Sequence, residues 1–394
     1  MYQEGLNYSP FRREDSIVSE VVIVDAIRTA IGKKEGALSN IHPVDLLVPI
    51  LQQLVDRNNI SERDIEDVLT GCATMTDEQG GNIGRLATLA AGFPVEVPAY
   101  SINRLCGSSQ QAIHSACQAI LANDATIVIA CGVESMSRIP MGSDIGSFSD
   151  TLMNEHTIVP QGFSAEMIAS EWDLTRNELD EYAYLSHQRA IEAIDEGYFE
   201  REIIPIVIEG DRQFLTDEGV RRETTIEKLH QLNASFQPES GVVTAGNSSQ
   251  ISDGAAGILL MSNKKARQLS LKPRARIIAR AVVGADPVMN LMGVIPATKK
   301  VLQKAGLTLE QMDVIEINEA FASVVKAWEK EFKPDMDKVN PRGGAIALGH
   351  PLGASGARIA TTLLHTLEDT EGRFGLQVMC IGFGMATATI IERL

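Results

Sequence analysis

The second half of this 394-residue chain repeats the order of strands, helices and glycine-rich turns found in the first half. A buried strand at Val21–Thr29, a helix at 44–58 and a strand–turn–helix segment at 102–121 have counterparts later in the chain. The run ARIIARAVVG at 275–284 resembles the first strand, and the glycine-rich run before residue 370 resembles the strand–turn–helix segment. Because the offset between the repeats drifts, the pattern indicates a diverged domain duplication.

Short β-branched runs alternate with amphipathic helical runs in both halves, which predicts an α/β fold with buried sheets. A charge-rich region interrupts the first half, and insertions of this size usually carry binding loops. The predicted organisation is an N-terminal extension (1–18), a first half (19–134 with 250–272), an inserted loop domain (135–249) and a second half (273–394).

The composition excludes several classes of protein. A net charge of −17 opposes nonspecific binding to nucleic acid or anionic membranes, whereas a small anionic ligand needs only a local basic patch. The five cysteines are an odd number without a CxxC pair, as expected in a reducing cytosol. No signal peptide and no apolar run of about 20 residues is evident, so we expect a cytoplasmic protein without a membrane span.

Cys106, in INRLCGSSQQAIHSACQAIL, lies at a predicted strand-to-helix turn. A helix N-terminus carries partial positive charge and lowers the pKa of a nearby thiol from about 8.5, so Cys106 is a candidate nucleophile. The alternative is a buried small hydrophobic residue, which is what most free cysteines are. We predict that alternative for Cys72, Cys117 and Cys131, which lie in apolar runs.

His350 lies in the glycine-rich run GGAIALGHPLGASGAR, which contains neither GxxxxGK[ST] nor GxGxxG, so a nucleotide phosphate loop is not expected. This histidine occupies the place in the second half that the Cys106 turn occupies in the first. If the two turns converge at a pseudo-twofold interface, they provide a nucleophile and its base.

Two further stretches carry polar or reactive groups at strand ends. Cys380 precedes a Gly-x-Gly turn whose backbone N–H groups suit an oxyanion hole, although a buried strand cysteine is an equally good interpretation. Asn318 and Glu319, in NEAFA, follow a buried strand and could be helix N-caps. A metal site is disfavoured because no His and Cys residues have short ligand spacing.

The stretches NRLCGSS, TAGNSSQISDGAA, NEAFA, GGAIALGHPLGASGAR and CIGFG appear in the order typical of the thiolase family, which the chain resembles from Val21 to Leu394. This resemblance implies duplicated βαβαβαββ halves that form a five-layered α-β-α-β-α core with an inserted loop domain. It also implies an acyltransferase that joins or splits carbon–carbon bonds between coenzyme A (CoA) thioesters.

The resemblance assigns a role to each catalytic residue. Cys106 attacks the 3-keto carbon of a 3-ketoacyl-CoA, and His350 takes the thiol proton. Cys380 protonates the departing acetyl-CoA enolate and then deprotonates the incoming CoA. One oxyanion hole is implied from His350 and a water held by Asn318, and another from the backbone N–H groups of Cys106 and Gly382.

Binding residues are also implied by the resemblance. Ala245 and Ser249 correspond to pantetheine contacts, Arg221 to a contact with the adenine nucleotide, and Ala320 and Phe321 to the lining of the acyl pocket. CoA is then a co-substrate, with no tightly bound cofactor and no metal. Members of the family are typically homodimers or dimers of dimers, so a homo-oligomer is expected.

The branch of the family is indicated by the run VPQGFSAE, where Pro160 and Gln161 stand in place of a His-Met-Gly sequence common in short-chain enzymes. Gln161 is therefore a predicted substrate contact. RRETT, SSQISDGAA, NEAFASVV and KPDMDKVN resemble the degradative branch, including thiolases that shorten steroid side chains. The alternatives are a biosynthetic acetyl-CoA acetyltransferase, a ketoacyl synthase and a catalytically silent CoA-binding or scaffold protein.

Overall fold

The computed structural model describes residues 20–394, so the predicted N-terminal extension lies outside the described residues. The strands are β1 Val21–Thr29, β2 Gly32–Lys33, β3 Asp67–Gly71, β4 Ala99–Ile102, β5 Ile127–Ser135, β6 Ile203–Ile204, β7 Ile206–Ile208, β8 Arg212–Phe214, β9 Ser252–Ser262, β10 Ala275–Gly284, β11 Val314–Ile317, β12 Phe374–Ile381 and β13 Met385–Arg393. The α-helices are α1 Pro43–Asp56, α2 Ile83–Ala90, α3 Ser108–Ala122, α4 Asp150–Glu155, α5 Gln161–Glu171, α6 Arg176–Asp195, α7 Ile226–His230, α8 Asn263–Gln268, α9 Val294–Ala305, α10 Ala322–Phe332, α11 Ala345–Leu348 and α12 Leu352–Asp369.

The two halves have the same strand order. In the first half, hydrogen-bonded neighbours run β4-β3-β5-β9-β1, and in the second half they run β11-β12-β13-β10. In the described residues, the second half has no strand equivalent to β4, and an isolated parallel bridge between Ile315 and Val339 lies in its place. The halves join where β1 pairs antiparallel with β10 at Val22↔Arg276 and Ile23↔Ala275. This matching order confirms the predicted duplication.

Helices separate the two halves into layers. The apolar face of α1 packs on β9, β5 and β1, and α9 packs on β10 and β13 at the opposite side of the molecule. Between the halves, α3 packs on β3 and β5, while α12 contacts α3, β5 and β12. The order helix, sheet, paired helices, sheet, helix is the predicted α-β-α-β-α core.

The predicted elements agree closely with the observed ones. β1 and β10 have the expected ends, and the helix expected at 44–58 is α1. Cys117 is buried in the central core between the halves, and Cys72 and Cys131 are buried in the first-half core, as predicted. No helix among residues 20–394 is long and apolar enough to cross a membrane.

The inserted region, between β5 and β9, packs against both halves. Its strand β6 pairs in parallel with β1 at Arg28↔Ile203 and Thr29↔Ile204. Its helices α5 and α6 pack on α10, and their apolar residues share one core with the second half. The insertion therefore interrupts the first half along the chain, but its helices α5 and α6 pack in the core of the second half. The domain boundaries given above stay a prediction.

The two halves approach closely at Gly356 of α12, where an added Cβ would overlap the backbone nitrogen of Gln110 on α3. We predict that Gly356→Ala lowers the free energy of unfolding by about 1–3 kcal/mol, because the two packed helices must move apart. Urea unfolding followed by circular dichroism measures this change.

The control is Gly284→Ala, since no atom lies within 4 Å of a Cβ added at this position. Its effect on the free energy of unfolding should stay within about 0.5 kcal/mol. Equal stability of the Gly356→Ala and Gly284→Ala proteins would contradict the tight central contact.

Candidate active site

The turn that carries Cys106 has an unusual backbone. Leu105 has a φ of 48°, in the left-handed region that residues other than glycine seldom adopt. The Asn103 side chain accepts a hydrogen bond from the Leu105 N–H at 2.8 Å, and the Ser108 hydroxyl accepts one from the Arg104 N–H at 2.9 Å. These contacts hold the turn in a conformation that fixes the direction of Cys106.

The Cys106 thiol is buried, with only 3% of the residue exposed. Burial and the neighbouring Cys380 raise the pKa of Cys106 to about 12, while the backbone N–H groups of Cys106 and Gly382 act in the opposite direction. The predicted lowering of this pKa is therefore wrong. Helix α3 begins at Ser108 with Gly107 as its cap, and the loss of hydration outweighs the favourable backbone dipoles.

Cys380 is brought to Cys106 by the end of β12. An added Cβ at Gly107 would overlap Cδ1 of Ile381, so the absence of a side chain lets the two segments pack together. Burial raises the pKa of Cys380 to about 11, although the Asn318 side chain opposes this. The Gly382 N–H acts on the Cys106 thiol, as expected for a pair of donors that can stabilise an oxyanion.

Asn318 connects Cys380 to His350. Its Nδ2 lies 3.5 Å from Cys380 Sγ and 3.5 Å from His350 Nε2. Neither Asn318 nor Glu319 caps a helix, because α10 begins at Ala322 with Phe321 as its N-cap. The structure thus gathers Asn318, His350 and Cys380 beside Cys106, while the described hydrogen bonds include none between the Cys106 thiol and the His350 ring.

The protonation of His350 follows from its contacts. The ring Nδ1 lies 2.6 Å from Ser355 Oγ, and that hydroxyl donates its own proton to the Pro351 carbonyl at 2.8 Å. Ser355 must therefore accept the Nδ1 proton, which leaves Nε2 with a free lone pair. Burial, and the positive charge of Arg358, lower the pKa of His350 to about 3, so the ring is neutral at physiological pH.

Glu319 supports the loop that follows β11, a role the sequence did not reveal. Its buried carboxylate accepts hydrogen bonds from the Tyr182 hydroxyl at 2.8 Å and the Ser186 hydroxyl at 2.7 Å. It also accepts hydrogen bonds from the Asn340 amide at 3.0 Å and the Ile346 N–H at 3.0 Å. Glu319 thus ties the Asn318 loop to α6 and to the segment that leads to His350.

Glu134 is a second buried carboxylate that sequence analysis missed. It accepts hydrogen bonds from the N–H groups of Ala73 at 2.8 Å, Thr74 at 3.1 Å and Gly353 at 2.8 Å. Burial raises its pKa, and these donors oppose the rise. A charged residue inside the apolar strand β5 was the available signal. Glu134 joins the first half to the start of α12, just after His350.

The predicted binding residues are divided between this site and the surface. The Ser249 N–H donates to the Ala320 carbonyl at 2.9 Å, and Phe321 forms a bridge with Ser248, so these residues lie together. Ala245 and Arg221 are exposed. Within the described part of the chain, the Arg221 guanidinium forms no salt bridge, which leaves it available to an anion.

Gln161, at the start of α5, lies against Gly382. A Cβ added at Gly382 would lie 2.6 Å from Gln161 Nε2, so the predicted substrate contact is adjacent to the Cys380 loop. No group of three or more His, Cys, Asp or Glu side chains within residues 20–394 is arranged to hold a metal ion.

Two family models match nearly the whole chain: the thiolase N-terminal domain at residues 21–264 and the thiolase C-terminal domain at residues 271–393. The chain belongs to the thiolase family. This membership makes it an acyltransferase.

Named relatives cover almost the full length of this thiolase. The steroid 3-ketoacyl-CoA thiolase FadA6 of Mycobacterium tuberculosis is 47% identical, with 96% of this chain and 95% of that protein aligned. A 3-ketoacyl-CoA thiolase of Salmonella typhimurium is 45% identical, over 95% of this chain and 100% of that protein. The solved structure of the Bacillus anthracis acetyl-CoA acetyltransferase is 40% identical, with a TM-score of 0.89, and covers 96% of this chain and 99% of that chain.

The contact between Ser355 and His350 gives a test of the site. We predict that Ser355→Ala lowers the kcat of this thiolase about tenfold with little change in KM, since a hydrogen bond of about 1.5 kcal/mol that selects the tautomer is lost. Steady-state kinetics measures both constants.

Thr361→Ala is the matched control, because the Thr361 hydroxyl donates to the Ala357 carbonyl at 2.8 Å on the same helix. Its kcat should stay near that of the parent. An equal loss of kcat in both variants would show that Ser355 acts only through the packing of α12.

Proposed function

We propose that this thiolase is a degradative 3-ketoacyl-CoA thiolase. It cleaves a 3-ketoacyl-CoA with CoA to give acetyl-CoA and a shortened acyl-CoA, through an acyl group carried by Cys106. The observation that carries the proposal is the Asn318 amide, 3.5 Å from both His350 Nε2 and Cys380 Sγ, beside the buried Cys106. Such a cluster provides a nucleophile, a base and a second thiol for proton transfer.

In the first half-reaction, the Cys106 thiol gives its proton to Nε2 of the neutral His350 ring and attacks the 3-keto carbon. The oxyanion formed there is stabilised by the N–H groups of Cys106 and Gly382. The C2–C3 bond then breaks, and its electron pair enters the acetyl-CoA enolate. Protonated His350, held next to Asn318, stabilises that negative charge. Cys380 donates a proton to the enolate carbon, and acetyl-CoA leaves.

In the second half-reaction, the Cys380 thiolate accepts the proton of the incoming CoA thiol. The CoA sulfur attacks the acyl carbon on Cys106, and the Cys106–carbon bond breaks. The Cys106 thiolate recovers the proton held by His350, which restores the resting state. Two buried thiols with raised pKa values suit this cycle, because each is neutral between turnovers and ionises only when a partner takes its proton.

The CoA molecule is proposed to bind along the inserted region. Ser249 and Ala245 would contact the pantetheine arm, and Arg221 would contact the adenine nucleotide. The exposed Arg221 guanidinium supports this role, because it offers positive charge on a chain with a net charge of −17. The neighbouring Arg222 is not available in the same way, because its guanidinium forms a salt bridge with Asp195 at 2.6 Å.

Aromatic side chains near the site favour an acyl group longer than acetoacetyl. Phe163, Phe236 and Phe321 are in sequential ring contact at 6.0 and 6.1 Å, and Ala320 precedes Phe321. Phe383, next to Gly382, lies 6.1 Å from Phe148. Phe148, Phe163 and Phe383 remain exposed, so this apolar surface is open to a ligand. A relative from Acinetobacter baylyi that is named beta-ketoadipyl-CoA thiolase is 45% identical, and this name refers to an acyl group longer than acetoacetyl.

A substrate panel tests this proposal against the biosynthetic alternative, an acetyl-CoA acetyltransferase that forms acetoacetyl-CoA. We predict a higher kcat/KM for thiolysis of longer or branched 3-ketoacyl-CoAs than for acetoacetyl-CoA, because an extra buried methylene contributes about 0.8 kcal/mol. Release of acetyl-CoA at a series of chain lengths is the measurement. A kcat/KM for acetoacetyl-CoA far above every longer substrate would support the biosynthetic alternative.

The role of Cys380 separates this mechanism from that of a ketoacyl synthase. We predict that Cys380→Ser lowers kcat for thiolysis by about 10² to 10⁴, because the enolate loses its proton donor. Steady-state thiolysis assays measure the loss.

Cys117→Ser is the control, since Cys117 is equally buried but lies on α3, in the apolar core between the two halves. It should retain most of the activity. Unchanged turnover in Cys380→Ser would contradict the mechanism and favour the ketoacyl synthase interpretation.

We also propose a homo-oligomer, a homodimer or homotetramer, in the cytoplasm. Strand β4 is at the outer edge of the sheet, and exposed Leu86, Leu89 and Tyr100 lie on or beside it. An unpaired strand edge with apolar neighbours suits pairing with a second copy. The five free, buried cysteines support a reducing compartment.

A further inference from the structure

The face of α12 behind His350 carries a buried guanidinium without hydrogen-bond partners. Arg358 is 2% exposed, and its Nε and Nη1 are fully buried with no partner among the described residues. Arginine stays protonated in proteins, so this group carries a charge. A charged donor that is left without any partner costs several kcal/mol, so these two nitrogens require a ligand or ordered water.

Two carboxylates near Arg358 are also incompletely bonded. Oε1 of Glu316, on β11, has no partner, and Glu316 is 1% exposed. Oε1 of Glu202 accepts from Arg28 Nε at 2.6 Å and from the Thr362 hydroxyl at 3.1 Å, but its Oε2 has no partner. Donors and acceptors of opposite sign thus face one another without direct contact. Water satisfies both kinds of group, whereas an anion or a cation would satisfy only one.

Glu316 differs from the other carboxyl groups beside Arg28 and Arg358, because Glu202 and Asp217 form salt bridges and Glu316 does not. Arg28 holds Glu202 at 2.6 Å and Asp217 at 2.7 Å in salt bridges. Glu316 has no such partner, and burial raises its pKa to about 8 despite the opposing charge of Arg358. Glu316 is therefore the protonated member.

This buried region adjoins the catalytic residues. Arg358 lies one helical turn beyond Ser355, which bonds His350, and its charge contributes to the lowered pKa of His350. Glu316 precedes Asn318 by two residues, and Oδ1 of Asn318 is itself buried without a partner. A change of charge at Glu316 is therefore transmitted to His350 with little screening by solvent.

We propose that Arg358, Glu316 and Glu202 enclose ordered water molecules behind His350, and that the proton held by Glu316 sets the proton affinity of the His350 ring. Glu316 is thus a positioning residue for the reaction. The proposal rests on the assigned role of His350 as the proton acceptor for Cys106. Loss of the Glu316 proton adds a buried negative charge, which favours protonated His350 and hence the Cys106 thiolate.

Charged and titratable groups face this region from each element packed on it. They are Arg28 on β1, Glu202 before β6, Asp217 after β8, Glu319 after β11, Arg342 before α11, and His350, Arg358 and His365 on or next to α12. Burial lowers the pKa values of both histidines, so both are neutral near pH 8. Burial raises the pKa of Glu316 to about 8, so Glu316 titrates near that pH.

The test compares the rate at which iodoacetamide alkylates Cys106 in the full-length parent and in Glu316→Gln, as a function of pH. Glutamine matches the protonated carboxyl in size and charge. The two rates should coincide well below pH 8, and the parent should react about threefold faster or more above it. Glu368→Gln is the control, because Glu368 is bonded to Arg274 at the far end of α12, and it should follow the parent. Superimposed curves for the parent and Glu316→Gln would overturn the proposal.

Infrared difference spectra give a second measurement that does not need turnover. A carbonyl band of a protonated carboxylic acid, present in the parent and missing from Glu316→Gln, should disappear with a midpoint near pH 8, and its absence from the parent would overturn the proposal. A high-resolution crystal structure should show water bonded to Arg358 Nε and Nη1, and a dry cavity would equally overturn it. If iodoacetamide does not alkylate Cys106 but the carboxylic acid band is present, the proposed function is contradicted, while the protonation of Glu316 is supported.

Discussion

The contact between α3 and α12 at the centre of the molecule is the constraint on which the rest of the structure depends. Gly356 lets the helices approach to backbone distance, and the Ser109 hydroxyl accepts a hydrogen bond from the Ala357 N–H at 2.9 Å. Because each helix follows one of the two functional turns, this contact fixes Cys106 and His350 relative to each other. The duplicated halves thereby build one site from residues that are more than 200 positions apart.

Burial determines the chemistry of that site. Loss of hydration raises the pKa values of Cys106 and Cys380 and lowers that of His350, so all three groups are neutral at rest. Neutral, buried groups exchange protons without a permanent ion pair, and the backbone N–H groups stabilise negative charge only when it forms during the reaction. Behind these three groups, the buried guanidinium of Arg358 keeps its positive charge and lowers the pKa of His350.

The inserted region shows why chain order does not determine packing. It interrupts the first half, yet α5 and α6 complete the core of the second half. Through this packing Gln161 reaches Gly382, and Tyr182 and Ser186 reach Glu319. The residues that support Asn318 and border the Cys380 loop therefore come from a segment whose own pattern indicated only charged helices.

The sequence by itself determined the duplicated α/β fold, the ends of β1 and β10, and the identities of the candidate catalytic residues, because periodicity and motif order are local properties of the chain. Only the tertiary structure decided the ionisation of those residues. The expected lowering of the Cys106 pKa rested on helix position, whereas hydration depends on every element that surrounds the thiol. The supporting role of Glu319 and the burial of Arg358 were missed for the same reason, since both depend on the elements that folding brings around these side chains. Glu134 differs, because a charge inside the apolar strand β5 was visible in the sequence.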